Sequence, residues 1–429
     1  MRIGLVEFLL ILAIASVTVG PRVMLFVDRW MRRAQRTSRA AARRRAEYEA
    51  QMAAERDALL KRFRVVTSAF GVVILLVLGY GLLLRPLDTP PQAYIAPAVR
   101  QTAQKTVAAE QQLDLGTYSE VSCLRQKDGW LYVAVRADKK TAAILRVRED
   151  GSGQTALLTQ PGEITSFDFD AQGNIWFTAV TAEGGALYRA SYDGWGAAAQ
   201  QIVGQINGKA LDCPMAVAVG QDGRVYFTDA AAVSTEDGTL AALRRELLAH
   251  TATGWVYVYD PETLAVRQVL GGLAGADGLA ISPDGKTLYV SDLGSRCVWA
   301  VSADAQGLTA GGRDCGVLAQ ELPGYPGALA VDGEGTVYIS YRWAQSSWLE
   351  NSAENTFLRG VALRAGTSVQ ARLLDLPQGK PAAEAVDAEG AVRYGLTGTR
   401  AGSCTAVCPV DNRVYLAFSG QNMLRWART

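Results

Sequence analysis

Histidine is almost absent from this 429-residue chain, in which His250 is the single example. It lies in the segment LAALRRELLAHTATG, whose pattern predicts a polar residue at the end of a helix. A histidine-based catalytic triad and a metal site with several histidines are therefore excluded.

Cysteine is also missing from the N-terminal part, since the first of the six cysteines is Cys123. This distribution is expected if the part that follows lies on a side of a membrane where disulfides form. Cys297 and Cys315 flank one predicted hairpin, and we predict a disulfide between them. Cys404 and Cys408 are too far apart along a strand to pair with each other, so Cys123 is a better partner for either.

A strong net charge is missing too, because 43 Lys and Arg balance 42 Asp and Glu. The balance conceals two regions of opposite sign. Residues 22–64 contain thirteen basic and five acidic side chains, whereas residues 85–429 contain 29 basic and 36 acidic ones. The acidic excess of the larger region argues against nucleic acid as a partner.

Two hydrophobic stretches flank the basic region. Residues 65–84 are twenty uncharged residues, enough for a helix that crosses a bilayer. Residues 3–20 are nearly as apolar but contain Glu7, and we favour a retained span over a cleaved signal. The basic residues between the spans predict a cytoplasmic loop, with the N-terminus and the C-terminal part outside. The predicted order is a first transmembrane helix (1–27), a basic cytoplasmic helix (28–64), a second transmembrane helix (65–84) and a linker (85–116).

The N-terminal stretch resembles the small helical subunits of the twin-arginine translocase. Glu7, the Gly20-Pro21 hinge and the basic sequence that follows carry this likeness. The alternative is an ordinary anchor followed by a basic helix at the lipid surface.

A repeated pattern begins near Glu120: an apolar strand, a tight polar turn and a second strand with an aromatic residue near its start. Turns such as Asp128-Gly129 and Asp411-Asn412 supply the left-handed backbone that short hairpins need. Six copies, repeating at roughly 40 to 50 residues with insertions between some of them, predict a blade-repeat architecture. Their aromatic residues are Tyr132, Trp176, Tyr226, Tyr289, Tyr338 and Tyr415.

The economical arrangement of six such units is an all-β six-bladed β-propeller over residues 117–429, which leaves only short, protected strand edges. The last copy ends at Thr429 with three strands. We therefore expect a strand from about 93–119, within the linker, to complete that blade and close the ring.

Residues 214–345 resemble the strictosidine synthase-like family, which belongs with the gluconolactonase, regucalcin and paraoxonase-type six-bladed propellers. The likeness is carried by several motifs in order, among them YFTDA, WVYVYDPETLAVRQVLGGL, DGLAISPDGKTLYVSD and LPGYPGALAVDGEGTVYIS. The resemblance implies the propeller fold. It says less about activity, because one fold hosts many functions.

The resemblance also implies a divalent metal, commonly calcium, at the mouth of the central channel in the hydrolytic relatives, held by oxygen ligands at the starts of the innermost strands. The matching positions here are Glu120, Met215, Asp277 and Gly327, with Glu163 near the matching place in the second blade. Glu120, Asp277 and Glu163 are thus candidate ligands, while Met215 and Gly327 cannot bind a hard cation. We expect weak calcium binding.

Strictosidine synthases use a glutamate on the innermost strand of the last blade as a base, and the matching residue here is Thr405. A hydroxyl group cannot act as a general base near neutral pH, so that condensation chemistry is not expected.

These observations predict a membrane-anchored, extracytoplasmic propeller that binds a small molecule or an envelope partner at its channel mouth. Two carboxylates at that mouth favour a cation or a basic ligand group. A calcium-dependent ester or lactone hydrolase is the enzymatic alternative. A third possibility is a membrane-assembly component whose propeller acts as a sensor.

Overall fold

The computed structural model describes residues 39–191, 199–374, 381–398 and 403–429. The chain divides into two compact units, one ending at Pro86 and one running from Leu87 to Thr429. The predicted first span and the translocase-like stretch that contains Glu7 lie outside the described residues.

The first unit contains one long helix, α1 (Arg39–Gly79), which continues into a π-helical turn (Tyr80–Leu84). The predicted basic helix and second span are joined without a break, because neither proline nor a polar turn separates them. Arg43–Leu84 is the one helix in the described ranges that is long and apolar enough to cross a membrane. Its apolar side chains are exposed, Leu75 by 69% and Leu76 by 67%, as suits a helix surrounded by lipid.

The second unit is a six-bladed β-propeller, with four principal strands in each blade. The first three blades are β3–β6 (Ser119–Lys127, Trp130–Arg136, Thr141–Val147, Thr155–Pro161), β7–β10 (Glu163–Phe169, Ile175–Thr181, Gly184–Ala190, Ala199–Val203) and β13–β16 (Pro214–Val219, Val225–Asp229, Gly254–Asp260, Ala265–Leu273). A small hairpin, β11 (Gln205–Ile206) with β12 (Lys209–Ala210), joins the second blade to the third.

The fourth blade is built from β17 (Ala276–Ile281), β18 (Thr287–Asp292), β19 (Cys297–Ser302) and β21 (Gly316–Ala319), while β20 (Leu308–Thr309) pairs in parallel with β16. The fifth is β22–β25 (Gly324–Val331, Val337–Ala344, Ala383–Val386, Val392–Gly398), extended by β1 (Thr106–Ala109). The sixth is β26–β28 (Cys404–Val410, Arg413–Phe418, Met423–Arg428), completed by β2 (Gln111–Asp114).

Strand β2 closes the ring in the way the sequence predicts. It pairs antiparallel with β28, so that Leu113 lies opposite Leu424. Both leucines are buried in the cluster that joins the sixth blade to the first. The earlier strand β1 adds in parallel to β25 of the fifth blade. An N-terminal segment therefore ties two neighbouring blades together.

The predicted hairpins and aromatic positions are confirmed. Asp128 and Gly129 both have positive φ, 50° and 75°, as a two-residue turn of this type requires. All six predicted aromatic residues are buried, Tyr415 completely. Separate apolar clusters fill the interface between each pair of neighbouring blades. Packing between blades thus supplies the hydrophobic core.

Two insertions form a helical cap on one face. Helix α2 (Thr239–Ala249) joins the second and third strands of the third blade. Helices α3 (Ser347–Asn351), α4 (Thr356–Arg364) and α5 (Thr367–Leu374) occupy the corresponding connection of the fifth blade. The two insertions share a buried apolar cluster that includes Leu247 and Leu349. His250 caps the end of α2 with φ 51°, as its predicted place at a helix end suggests.

All six cysteines are free thiols, and Cys315 alone is partly exposed. The predicted Cys297–Cys315 disulfide is therefore not formed in this structure. Cys404 and Cys408 lie on the same strand, β26, and do not pair with each other. Burial raises the pKa of both to about 12, which keeps them protonated.

Candidate functional site

The channel mouth is formed by the starts of the six innermost strands. Each of these strands has a register irregularity near that end, for example between Ser119 and Cys123 and between Ala276 and Leu279. Such bulges bend a strand and turn its side chains away from the regular ladder. The bulges occur where the sequence places its candidate site residues, and Glu120 itself has φ 50°.

The structure brings four of those residues to one cavity of about 150 Å³. Glu120, Glu163, Met215 and Thr405 line it. Asp277 lines a smaller cavity deeper in the channel, about 20 Å³, which shares Met215 with the outer one. Gly327 adjoins Asp277, since a Cβ atom on Gly327 would lie 3.3 Å from Asp277 Oδ2. All six predicted positions thus lie at or directly below the mouth.

Arg342, on strand β23, is the residue that organises this site. Its Nη2 donates to Asp277 Oδ1 at 2.8 Å, and its Nε donates to Asp277 Oδ2. Both side chains are buried, with 8% and 0% of their surface exposed. Burial acts to lower the pKa of Arg342, but the Asp277 carboxylate outweighs it and raises that pKa above its usual value.

The absence of a side chain at Gly327 makes room for this pair. A Cβ atom there would lie 3.3 Å from Arg342 Cβ and 3.2 Å from Ser340 Oγ, which is tighter than ordinary van der Waals contact. The backbone at this point is anchored by Ser291, whose Oγ donates to Gly327 O at 2.8 Å. The glycine at position 327 therefore leaves room for the Asp277 carboxylate and for the base of the Arg342 side chain.

The two remaining carboxylates at the mouth have different partners. Glu120 Oε2 lies 2.5 Å from Arg136 Nε in an ion pair at the rim, where both side chains are about half exposed. Glu163 Oε1 accepts a hydrogen bond from Thr239 Oγ1 of α2 at 2.8 Å. Within the described part of the chain, Glu163 is the mouth carboxylate without an ion pair. Arg342 also lines this cavity and interacts electrostatically with Glu163, but its hydrogen bonds go to Asp277.

Two buried hydroxyl groups near the pair have no hydrogen-bond partner among the described residues: Ser340 Oγ and Thr405 Oγ1. Buried polar atoms nearly always have a partner, so each such atom calls for an explanation. Thr405 lines the outer cavity together with Arg342. A hydroxyl in this position can donate to, or accept from, a molecule bound at the mouth.

Residues 216–363, from the first strand of the third blade to helix α4 of the fifth, match the family model described as the SMP-30/Gluconolactonase/LRE-like region. The similarity to this family model is confined to that part of the propeller. The match agrees with the family resemblance predicted from the sequence.

Curated relatives match part of this chain. Strictosidine synthase-like protein 6 of Arabidopsis thaliana is 27% identical over 172 residues, which is 40% of this chain and 43% of that protein. The adipocyte plasma membrane-associated protein of Salmo salar is 31% identical over 143 residues, 33% of this chain and 32% of that protein. The chain thus spans less than half the length of these relatives.

Solved structures show the same fold. A gluconolactonase from Xanthomonas campestris superimposes with a TM-score of 0.52 at 19% identity, covering 81% of this chain and 99% of that one. A luciferin-regenerating enzyme gives a TM-score of 0.50 at 15% identity, covering 74% and 95%. At these identities the likeness establishes the propeller architecture alone.

The calcium ion that the family resemblance implies does not fit the residues at this mouth. Both carboxylate oxygens of Asp277 accept hydrogen bonds from Arg342, and Glu120 is paired with Arg136. Met215 offers a thioether and Gly327 offers no side chain, whereas calcium takes six to eight oxygen ligands. Across the described ranges, no three His, Cys, Asp or Glu side chains are grouped so that they could hold a metal.

Sequence reasoning missed Arg342 because it considered only the first strand of each blade. The available signal was a lone arginine in VYISYRWA, a strand whose other residues are mostly apolar and buried. An arginine in such a strand requires a buried acceptor, since lone charges are rarely buried. Arg125 on β3 is a parallel case, because its Nε lies 3.6 Å from Asp168 Oδ1.

The acidic ends of two second strands, by contrast, support the fold. Asp229 Oδ1 accepts a hydrogen bond from Cys213 N at 2.7 Å, and Asp292 Oδ1 accepts one from Ala274 N at 3.0 Å. Burial raises the pKa of Asp229 to about 6, although the hydrogen bond from Cys213 opposes that change. Each carboxylate holds the segment that precedes the innermost strand of its own blade.

Proposed function

We propose that this chain is a membrane-anchored binding protein, whose propeller holds a small amine-bearing molecule at the channel mouth without a metal ion. The observation that carries this proposal is the buried Asp277–Arg342 pair. An arginine supplies the positive charge that a cation would otherwise supply to Asp277. In this proposal the Arg342 guanidinium takes the place of the metal ion that the family resemblance implies.

The residual charge of the mouth favours a basic ligand. Arg342 neutralises Asp277 and Arg136 neutralises Glu120, which leaves the carboxylate of Glu163 for a positively charged group. The apolar side chains of Met215 and Leu240 line the same cavity and suit an aliphatic portion. A volume of about 150 Å³ restricts the buried part of the ligand to a few heavy atoms.

The first test compares small amines with uncharged and acidic analogues by thermal denaturation of the full chain. Propylamine and ethanolamine are expected to raise the melting temperature, because a ligand that binds the folded state stabilises it by mass action. In Glu163→Gln this increase is expected to disappear, because the amide has no charge. Glu334→Gln, at an exposed carboxylate near the opposite end of the channel, is the matched control and keeps the increase.

Propanol and propionate complete the comparison. Stabilisation by propionate but not by propylamine would contradict an amine ligand. It would indicate that the mouth binds an anion through Arg342. Calcium-dependent hydrolysis of an ester or lactone that survives Glu163→Gln would support the enzymatic alternative and overturn the proposal.

The proposed orientation places the propeller outside the cytoplasm. Thirteen Lys and Arg residues between positions 22 and 64 are expected to stay on the cytoplasmic side. A tag placed after Thr429 is therefore expected to be accessible to a membrane-impermeant label on intact cells, and a tag inserted after Ala42 is not. The opposite pattern would reverse the orientation, and labelling of both tags would leave residues 1–64 without a cytoplasmic segment.

A further inference from the structure

The segment that follows the long helix is packed against the helical cap of the propeller. Gln92 N donates to Ala249 O at 2.7 Å, and Tyr94 N donates to Ala353 O at 3.3 Å. The ring of Tyr94 stacks on His250 with 3.7 Å between centroids. Burial, followed by the charge of Arg359, lowers the pKa of His250 to about 4, so this ring is neutral at ordinary pH. We call residues 87–100 the strap.

Two completely buried arginines hold the strap in place. Arg359 Nη2 donates to Gln92 O, and Arg296 Nη2 donates to Pro97 O and, at 3.1 Å, to Ala98 O. Charged groups of this kind make stronger hydrogen bonds than neutral donors. The strap is thus a fixed part of the propeller surface rather than a flexible linker.

The strap and the cap helices next to it expose large apolar side chains. Ile95 on the strap is 88% exposed, Phe357 and Leu358 on α4 are 61% and 44% exposed, and Val369 on α5 is 44% exposed. Of the seven large apolar side chains exposed after Leu87 in the described ranges, these four and Val99 lie on the strap or the cap. Exposed apolar groups that collect on one face mark an interaction surface.

The covalent connection indicates what covers this face. The apolar helix ends at Leu84, and Leu87 already lies against α4, where a Cβ atom on Gly360 would be 3.8 Å from Leu87 Cδ1. Three peptide steps can span about 11 Å at most, since each extended residue adds about 3.6 Å. A bilayer that holds the helix is therefore within reach of the strap and α4.

We propose that the face formed by the strap, α4 and α5 lies on the membrane, with Ile95 and Phe357 inserted at the boundary between headgroups and acyl chains. This proposal rests on the proposed membrane anchor. Apolar side chains at such a boundary penetrate about 5–10 Å. The exposed Arg372, in the last turn of α5, has the chemistry to meet lipid phosphates while its aliphatic part follows the apolar surface.

The test places an environment-sensitive fluorophore on the full chain in nanodiscs that contain lipids with a quencher in the acyl chain. Phe357→Cys and Ile95→Cys are labelled in a Cys315→Ser background, because the other five cysteines are buried. The matched control is Leu264→Cys, a 72% exposed leucine in the turn between β15 and β16. We expect quenching at 357 and 95 to exceed quenching at 264 by at least about twofold, because contact quenching requires penetration into the acyl region.

Equal quenching at all three sites would overturn the docking proposal. Resistance of the full chain to carbonate extraction is measured in parallel and reports the anchor separately. Retention in the membrane together with equal quenching would support the anchor and contradict the docked face. Loss of the protein on extraction would contradict the anchor, on which the docking proposal depends. Amine binding that depends on Glu163 is independent of both results.

Discussion

Replacement of Arg342 by methionine is expected to lower the free energy of unfolding by about 3–5 kcal/mol, the cost of leaving one partner of a buried ion pair without the other. Asp277 would remain buried in the channel with neither of the hydrogen bonds that Arg342 supplies. Urea denaturation of the full chain, followed by tryptophan fluorescence, measures this change.

Two further variants separate the ion pair from a simple packing effect. The double variant Arg342→Met with Asp277→Leu is expected to recover much of the loss, because apolar pairs of similar volume can replace a buried ion pair. Arg136→Met removes the half-exposed pair with Glu120 and is expected to cost no more than about 1 kcal/mol. If the double variant is as unstable as the single one, the loss comes from the packing of the Arg342 side chain beside Gly327 and not from its charge.

The effect of calcium on unfolding tests whether Arg342 takes the place of a metal ion at Asp277. The wild-type protein is expected to keep its unfolding midpoint in millimolar calcium, because Arg342 occupies both oxygens of Asp277. In Arg342→Met the carboxylate is free, and calcium is expected to restore part of the lost stability by binding the folded state. A clear response of the wild type to calcium would contradict the metal-free site.

Replacement of Arg359 by methionine is expected to release the strap. The guanidinium donates to four carbonyl oxygens, those of Gln92, Leu248, Ser352 and Ala353. A buried acceptor left without a partner costs about 1–3 kcal/mol, which corresponds to roughly 5- to 150-fold faster amide exchange where opening is local. Hydrogen exchange followed by mass spectrometry is expected to show this increase in peptides that cover residues 90–100.

The exposed Arg372 provides the control, because Arg372→Met changes the same cap without touching the strap. Unchanged exchange in the strap of Arg359→Met would mean that the Tyr94–His250 stack and the remaining hydrogen bonds suffice. Faster exchange across all six blades would instead show that Arg359 stabilises the whole propeller.

The blades follow from patterns that are local in the chain. Alternating apolar residues, a turn such as Asp128-Gly129 and an aromatic residue after each turn specify a hairpin within about fifteen residues. The family resemblance placed Glu120 and Asp277 at the starts of innermost strands, and the structure finds them at and directly below the channel mouth. The need for a closing strand from about 93–119 followed from a last blade with three strands.

The partners of the buried charges depend on contacts between segments that are distant in the chain. Arg342 and Asp277 are 65 positions apart, and Arg359 and Gln92 are 267 positions apart. No periodicity connects such residues, since they meet only when separate blades and the strap pack together. The sequence therefore determined the blades and the location of the mouth, whereas tertiary packing decided that an arginine, not a metal ion, faces Asp277, and that residues predicted as a linker belong to the propeller surface. The physical reason is that strand and turn formation depends on neighbouring residues, while the partner of a buried charge depends on which surfaces exclude water together.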